Sequence, residues 1–267
     1  MCEVISISNQ KGGVAKTTTS INLGVALAQK GKRVLLIDFD PQANLTMSLG
    51  YPNTDELEHT IRNLMLGQIE CMALSNVKEI DYEKYILSAH GIDFIPASIE
   101  LSEVENILIN TMSRENVMKR IVNAIKGNYD YIFIDCQPSL NVLTVNALTS
   151  SDGVIIPVQS HYLSAKGLEL LLRTISSVKQ NLNEKLSIKG VLITMLDGRS
   201  SFQKGVIDTV SQAYGEYLNV FDSKIPLSVK VSENQAKGLP IVTEKNNKVA
   251  SSYISLAEEL MQIGCGM

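Results

Sequence analysis

Residues 10–18, near the start of the chain, have the types and spacing needed to bind phosphate groups. Gly12 and Gly13 let the backbone curl so that successive N–H groups point into one concavity. Lys16 can reach the outer phosphates of a nucleotide, and the Thr17 hydroxyl can ligate Mg²⁺. An apolar run precedes the segment and a helical pattern follows it, which gives the strand, turn and helix that a phosphate-binding loop requires.

The usual pattern G-x-x-x-x-G-K-[ST] is only partly met, because Gln10 and Ala15 occupy its two glycine positions. The loop carries instead a second lysine, Lys11, five residues before Lys16. A methyl group is a small change, so the loop is expected to keep its shape if Ala15 has a negative φ. The alternative is a Gly-Gly turn with incidental lysines, and the further motifs downstream argue against it.

Three carboxylates come directly after predicted strands. Asp38 and Asp40 follow the apolar run 34–37, and Asp135 follows the run 131–134. Phosphoryl transfer needs a metal ion to neutralise charge on the β- and γ-phosphates, and a carboxylate at a strand end can hold it. Asp38 and Asp40 are two residues apart, so one carboxylate can face the water shell of the metal while the other orients the attacking water. Taken alone, Asp135 also fits a strand-end turn, and D-x-D-P is a common turn start.

Strands and helices alternate along the chain and must position these residues. Continuous apolar runs predict buried strands at 4–7, 34–37, 93–96, 131–134, 154–157, 191–194 and 220–225. Helical spacing predicts helices after residue 16, around 61–65, and over 101–125, 164–180, 201–214 and 249–263. The fold class is therefore α/β, a mostly parallel twisted sheet with helices on both faces. Ligands bind such sheets at the carboxyl ends of the strands, so the loop and the three aspartates are expected to share one rim.

Size and composition limit the classes of function. The 267 residues predict a single α/β domain over 1–267, with no helix-turn-helix domain before the first strand, although two small domains would also fit. A net charge of -4 argues against a broadly basic coat for nucleic acid, but not against a local basic patch. Four scattered cysteines without a C-x-x-C pair indicate a reducing compartment. With no room for a signal peptide and no long apolar run, the expected location is cytoplasmic.

Three segments in order resemble the motifs of the deviant Walker-A ATPases, most closely those of the ParA/Soj chromosome- and plasmid-partition group. These are 11–18 (KGGVAKTT), 38–42 (DFDPQ) and 134–140 (IDCQPSL). Softer similarity continues through 156–159, 194–199 and 225–226, so that the resemblance spans nearly the whole chain. It implies the P-loop fold, and ATP and Mg²⁺ as cofactors.

The resemblance also implies a role for each site residue. Lys16 would bind the phosphates of its own subunit, whereas Lys11 would reach the nucleotide of a second subunit in an ATP-sandwich dimer. Thr17 and Asp135 would hold Mg²⁺, and Asp40 would position the hydrolytic water. Both lysines and Asp40 are thus the candidate catalytic residues.

Further positions follow from the same resemblance. The segments after Asp38, Asp40 and Asp135 would be switches that read the γ-phosphate. Pro226 and the loop after Thr194 would lie near the adenine, and Gln137 stands where a proline is common. The complete nucleotide-binding set is Lys11, Gly12, Gly13, Val14, Ala15, Lys16, Thr17, Thr18 and Pro226.

Arg199 and Lys230 are the candidate DNA-binding residues. Arg199 resembles a family position that holds DNA, and each has the alternative of being a solvated surface cation. Between 199 and 248 the chain has seven basic and five acidic residues, which allows a modest basic face in an otherwise acidic chain. Contacts of such a face with phosphates would be independent of base sequence and sensitive to salt.

The leading hypothesis is a nucleoid-associated DNA-partition ATPase. ATP would drive formation of a homodimer, the dimer would bind DNA non-specifically, and a ParB-type centromere-binding partner would stimulate hydrolysis. One alternative is a membrane-positioning ATPase of the MinD type, which would need a basic terminal amphipathic helix that residues 251–267 do not provide. Another is a metabolic enzyme on the same scaffold, such as an iron–sulfur reductase or a ligase.

Overall fold

The computed structural model describes residues 2–73, 79–159, 165–197 and 218–265. Seven strands within these ranges form one sheet. They are β1 (Glu3–Ile7), β2 (Val34–Phe39), β3 (Leu87–Ala89), β4 (Ile92–Ile95), β5 (Tyr131–Cys136), β6 (Gly153–Gln159) and β7 (Ser187–Thr194). The helices of the described ranges are α1 (Lys16–Gln29), α2 (Asn44–Ser48), α3 (Ile61–Ala73), α4 (Leu101–Ile109), α5 (Val117–Ile125), α6 (Val142–Ser150), α7 (Ala165–Asn181), α8 (Val229–Gln235) and α9 (Lys248–Cys265).

The sheet has the order β3-β4-β2-β5-β1-β6-β7, and every neighbouring pair is parallel except the antiparallel β3–β4 edge. The predicted α/β class with a mostly parallel sheet is confirmed. β1 is central, because it pairs with β5 on one side and β6 on the other. The chain adds β2 and β4 on one side of β1 and later β6 and β7 on the other, so the strand order reverses there. The carboxyl ends of the strands at such a point are where these sheets bind ligands.

Helices cover both faces of the sheet, and each helix buries its apolar side there. On one face α1 and α9 pack together over the sheet, with Tyr253 of α9 fully buried between them and the core. On the other face α3, α4, α5 and α6 enclose a second cluster that contains Phe39 and Ile134. A third cluster joins α7 to β6 and β7. These layers hold the strand ends rigidly, as a phosphate site requires.

The single long helix predicted over 101–125 is two helices. α4 ends at Ile109, Ser113 adopts φ 53, and α5 begins at Val117. The Arg114 guanidinium donates a hydrogen bond of 3.0 Å to the Ile109 carbonyl and so satisfies an acceptor at the end of α4. The apolar spacing is similar on both helices, which is why the break is not visible in the pattern.

The predicted strand over 220–225 is not a regular strand. The segment runs beside β7 with two isolated bridges, one from Val220 to Val191 and one from Pro226 to Leu196 just past the end of β7. The Ile225 N–H also donates to the Ile193 carbonyl of β7 at 2.9 Å. Between these points the N–H groups of Asp222 and Ser223 donate to the Glu259 carboxylate, at 2.7 and 3.0 Å, instead of to the sheet. The predicted helix over 201–214 and the candidate Arg199 lie outside the described residues.

The pairing of β6 with β7, at one edge of the sheet, contains a β-bulge. The register of β6 and β7 shifts between Val154 and Ile155, which leaves Lys189 as the extra residue of β7. Its side chain crosses β6 above Gly153 and forms a 2.6 Å ion pair with Glu3 of β1. The Lys189 and Glu3 side chains are 5% and 18% exposed, so this pair is largely buried.

Candidate functional site

The loop between β1 and α1 has the backbone geometry of an anion cradle. Gly13 and Ala15 have φ 71 and φ 66, and residues in this left-handed conformation help to turn successive N–H groups inward. No side chain caps the start of α1, so the N–H groups of its first turn remain for a ligand. Ala15 does not have the negative φ on which the loop's shape was expected to depend, because the curl of the loop places this residue in the left-handed conformation.

The two lysines of the loop take different directions. The Lys16 ammonium donates to the Lys11 carbonyl at 3.1 Å, beneath the loop. Burial lowers the pKa of Lys16, while the nearby Asp135 and Asp40 carboxylates oppose this shift. The Lys11 ammonium lies 3.5 Å from the Gln159 amide oxygen, at the end of β6. The same loop thus presents one cation to its own cradle and another to the side facing β6.

An open cavity of about 430 Å³ lies beside Lys11. The loop forms one wall, the segment after β5 and the end of β6 form others, and α7 contributes through Leu168. Lys11 is itself held at its backbone, since its N–H donates to the Asn9 side chain at 3.0 Å. Asn9 in turn donates to the Pro157 carbonyl at 2.7 Å, which fixes the loop to β6.

Asp135, at the end of β5, is the acidic centre of the site. It accepts hydrogen bonds from the Thr17 hydroxyl at 2.7 Å and from the Ser20 hydroxyl at 3.0 Å. Burial raises the pKa of Asp135 to about 6, although the two hydroxyl hydrogen bonds oppose this shift. Ser20 was missed by the sequence analysis, although its three-residue spacing from Thr17 places both hydroxyls on one face of α1.

A hydroxyl and a carboxylate at this distance fit Mg²⁺. Magnesium at a phosphate site takes one or two protein oxygens and completes its shell with water and phosphate oxygens. Among the residues that the structure describes, no group of three or more His, Cys, Asp or Glu side chains is placed to hold a metal ion. Thr17 and Asp135 are therefore suited to a metal that shares its ligands with a nucleotide.

Asp38 is placed next to Asp135, its register partner on β5, and is fully buried. Its carboxylate accepts both the N–H and the hydroxyl of Thr46 in α2, at 2.9 and 2.6 Å. Burial, followed by the Asp135 charge, raises the pKa of Asp38 to about 8. In this conformation the Asp38 carboxylate accepts hydrogen bonds from within the protein, and its role is to hold α2 in place.

Asp40 is the more accessible of the pair, although it is only 7% exposed. Its carboxylate accepts the Gln42 N–H at 2.9 Å, and its own N–H approaches an Asp38 oxygen at 3.4 Å. Burial raises the pKa of Asp40, and the Lys16 charge acts in the opposite direction. Asp40 therefore lies close enough to Lys16 for the lysine charge to act on it.

The remaining candidates divide between the rim and the surface. The Thr194 hydroxyl at the end of β7 donates to the Val14 carbonyl of the loop at 3.1 Å, and Pro226 pairs with Leu196 just beyond it. The segment after Thr194 thus begins beside the phosphate loop, and Pro226 lies next to that segment. Their position near the adenine stays a prediction. Lys230 lies on α8, with its side chain 64% exposed and 3.9 Å from Glu244.

Gln137, which replaces a common proline, ties the segment after Asp135 to α4. Its amide donates to the Glu105 carboxylate at 2.8 Å and to the Asn141 side chain at 3.0 Å. Asn141 donates to the same carboxylate and also caps the N-terminus of α6. Glu105 had no signal in the sequence, because it lies 32 residues from Gln137.

Comparison with known proteins places the whole chain in one group. A family model described as an AAA domain matches residues 2–188. The sporulation initiation inhibitor protein Soj of Bacillus subtilis is 42% identical over 265 residues, covering 99% of this chain and 100% of Soj. The chromosome partitioning protein ParA of Caulobacter vibrioides is 41% identical over 261 residues, covering 97% and 93% of the two chains.

A solved structure gives the same picture for the fold. The cobyrinic acid a,c-diamide synthase of Mycobacterium smegmatis, with a bound ATP analogue and magnesium, superposes with a TM-score of 0.84 at 33% identity. The match covers 100% of this chain and 97% of that one. A search of the described helices for one long and apolar enough to cross a membrane finds none.

Proposed function

This chain belongs to the ParA/Soj family of partition ATPases, and on that premise we propose that it is a Mg-ATP-dependent DNA-partition ATPase. ATP drives two copies to pair, the homodimer binds nucleoid DNA without sequence preference, and hydrolysis to ADP and phosphate releases it. A ParB-type centromere-binding protein is the partner that stimulates hydrolysis. The Mycobacterium smegmatis relative, which holds an ATP analogue and magnesium, supports ATP and Mg²⁺ as the cofactors here.

The observation that carries the proposal is the divergence of the two loop lysines. Lys16 lies beneath the loop, where it neutralises the phosphates of the nucleotide bound by the same chain. Lys11 extends toward Gln159 and the adjoining 430 Å³ cavity, on the side facing β6. A cation held there completes the site of a second copy and makes hydrolysis depend on pairing, as an arginine finger does.

The other residues then have definite tasks in the reaction. The N–H groups of the loop and of the first turn of α1 bind the phosphates. Thr17 and Asp135 hold Mg²⁺, which supplies charge neutralisation at the β- and γ-phosphates. Asp40 accepts a hydrogen bond from the attacking water and orients it. Asp38 holds α2, and thereby the segment that carries Asp40, through its two bonds to Thr46.

The last helix argues for DNA over a membrane as the surface that the dimer binds. In α9 the apolar residues are buried in the core against α1, so they are not available to a bilayer. The buried set is Tyr253, Leu256, Ala257 and Leu260. Exposed cations are instead found around α8, including Lys230.

The direct experiment measures retention of the purified protein on DNA of unrelated sequences with ATP, with ADP and without nucleotide. Retention with ATP alone, falling steeply as salt rises, is expected, because contacts with phosphates release counterions. Equal retention in all three conditions would overturn the proposed switch. Adding the ParB-type protein, where the neighbouring gene encodes one, is expected to raise ATP turnover and shorten retention.

A further inference from the structure

The helix α2 connects the candidate catalytic segment to the candidate DNA-binding segment. It begins four residues after Asp40, and its Thr46 is bonded twice to Asp38. At its other end the Ser48 hydroxyl accepts a 2.7 Å hydrogen bond from the Gln235 amide of α8. α8 carries Lys230, and Lys237 follows it.

The backbone makes a second connection between the same two segments. Gly50, just after α2, lies so close to Gly238 that a Cβ on Gly238 would be 3.0 Å from the Gly50 Cα. A contact between two backbones contains no rotatable side chain to absorb a displacement. A shift of α2 is therefore passed to the segment 229–238 directly.

α2 is also built as a unit that can move. Ala43 before it has φ 50 and Gly50 after it has φ 99, so residues in the left-handed region bound the five-residue helix. Residues at element ends that tolerate unusual φ values are the usual hinges of small rigid-body motions. Leu45, Thr46 and Ser48 of this helix are buried, so a shift of the helix displaces the groups packed against it.

We propose that α2 transmits nucleotide state from Asp40 to the basic segment around α8, and that Gln235 is the positioning residue that couples them. When Asp40 engages water at the γ-phosphate, the Asp40–α2 segment shifts, and the Ser48–Gln235 bond and the Gly50–Gly238 contact carry α8 with it. Lys230 and Lys237 then take the arrangement that binds DNA phosphates. The inference rests on the proposed function, since it concerns how ATP controls DNA binding.

The test compares DNA retention with ATP and with ADP for Gln235→Ala and Ser48→Ala. Each variant is expected to lower the ATP-over-ADP retention ratio about fivefold, which is the scale set by one lost hydrogen bond between coupled sites. Because both act through the same bond, the double variant should lower it no further. Ser48→Thr, which keeps a hydroxyl at this position, is expected to show the wild-type ratio.

Matched measurements separate coupling from a general loss of structure. Ser232→Ala, an exposed position on the same helix, should leave the ratio unchanged. The ATP affinity of Gln235→Ala should remain at the wild-type value, since Gln235 contacts neither the loop nor the metal-binding residues in the described hydrogen bonds. Its thermal midpoint should fall only slightly, as expected for the loss of one hydrogen bond.

Three outcomes decide the matter. A wild-type ratio in Gln235→Ala, or an equal loss of retention in both nucleotide states, overturns the coupling through α2. A wild-type protein that shows no dependence on ATP overturns the proposed function itself. A reduced ratio that Ser48→Thr restores supports both.

Discussion

Ala15 has the one backbone conformation in the phosphate loop that its side chain disfavours. At φ 66 a Cβ crowds the following carbonyl oxygen, at a cost of about 1–2 kcal/mol relative to the right-handed region. The loop tolerates this because the left-handed conformation is what directs the N–H groups of α1 into the cradle. Most alanines have a negative φ, but the geometry of this loop requires a positive φ at Ala15.

Replacing Ala15 by glycine is expected to stabilise the protein. Glycine relieves the strain in the folded state. It also gives the unfolded chain more conformational entropy, which offsets part of this gain, so the free energy of unfolding should rise by about 0.5–1 kcal/mol. The measurement is the urea midpoint without nucleotide. Ala28→Gly, inside α1, is the matched control and should destabilise by about 1 kcal/mol. A lower midpoint for Ala15→Gly would contradict the strain.

Alanine substitutions in the site should separate three tasks. Lys16→Ala is expected to lose ATP binding, because the buried cation that faces the phosphates is gone. Asp40→Ala should bind ATP and pair but not turn over. Lys11→Ala should bind ATP yet hydrolyse it at least about 10²-fold more slowly, the scale for one lost transition-state donor. Equilibrium ATP binding and single-turnover hydrolysis measure these effects.

Mixing two inactive variants tests whether Lys11 acts across the pair. In a mixed dimer of Lys11→Ala with Asp40→Ala, the nucleotide on the Lys11→Ala subunit has its own Asp40 and receives Lys11 from its neighbour. Activity should therefore return in the mixture. A mixture that stays as inactive as its components would show that each lysine serves its own nucleotide.

At the scale of elements, what could be predicted from sequence follows from how each element is buried. The central strands are enclosed on both faces and read as continuous apolar runs, so β1, β2, β5 and β6 were predicted correctly. α6 was not, because the helix is apolar on most sides and lacks the period of an amphipathic helix. The short α2 and α8 offer too few turns for any period to show.

The residues of the candidate site also fall into two groups, those that could be predicted from the sequence and those that could not. Candidate residues that belong to a motif, such as Lys16, Thr17 and Asp135, could be proposed from the sequence because a local segment specifies their setting. Thr46 and Glu105 act through partners distant in sequence and on different elements. No local pattern requires a hydroxyl or a carboxylate at those positions, so only the folded arrangement reveals them.

The bulge in β7 makes a sharp prediction about the sheet. Gly153→Ala would place a Cβ 2.6 Å from the Lys189 side chain, which must then leave its path to Glu3. Breaking a buried pair in this manner should destabilise the protein by about 3 kcal/mol. Gly127→Ala is the control, because its added Cβ meets nothing within 4 Å. Denaturant unfolding compares the two, and equal midpoints would contradict the described packing.

At the scale of the whole molecule, the sheet gathers sequence-distant groups onto one rim. The loop after β1, the aspartates after β2 and β5, and Thr194 at the end of β7 meet there, with direct bonds such as Thr17 to Asp135 and Thr194 to Val14. The rim was predicted from the alternation of elements alone, because carboxyl ends of parallel strands coincide. What the alternation did not predict is the direction of each side chain on that rim.

Pairing should be a property of the ATP-bound chain. Sedimentation of Asp40→Ala with Mg-ATP is expected to show a stable dimer, since binding remains while turnover is lost. Lys16→Ala in the same buffer should stay monomeric, and wild type with ADP should as well. Dimers of equal abundance in all samples would show that association does not depend on nucleotide.

The lysine that crosses the sheet has a consequence for how this chain can vary over time. Gly153 accepts no larger residue while Lys189 crosses above it, and Lys189 has its counterion only while Gly153 leaves the passage open. Neither position can be exchanged alone without a deleterious intermediate. In descendants of this chain the two should be inherited as one character, lost together or kept together.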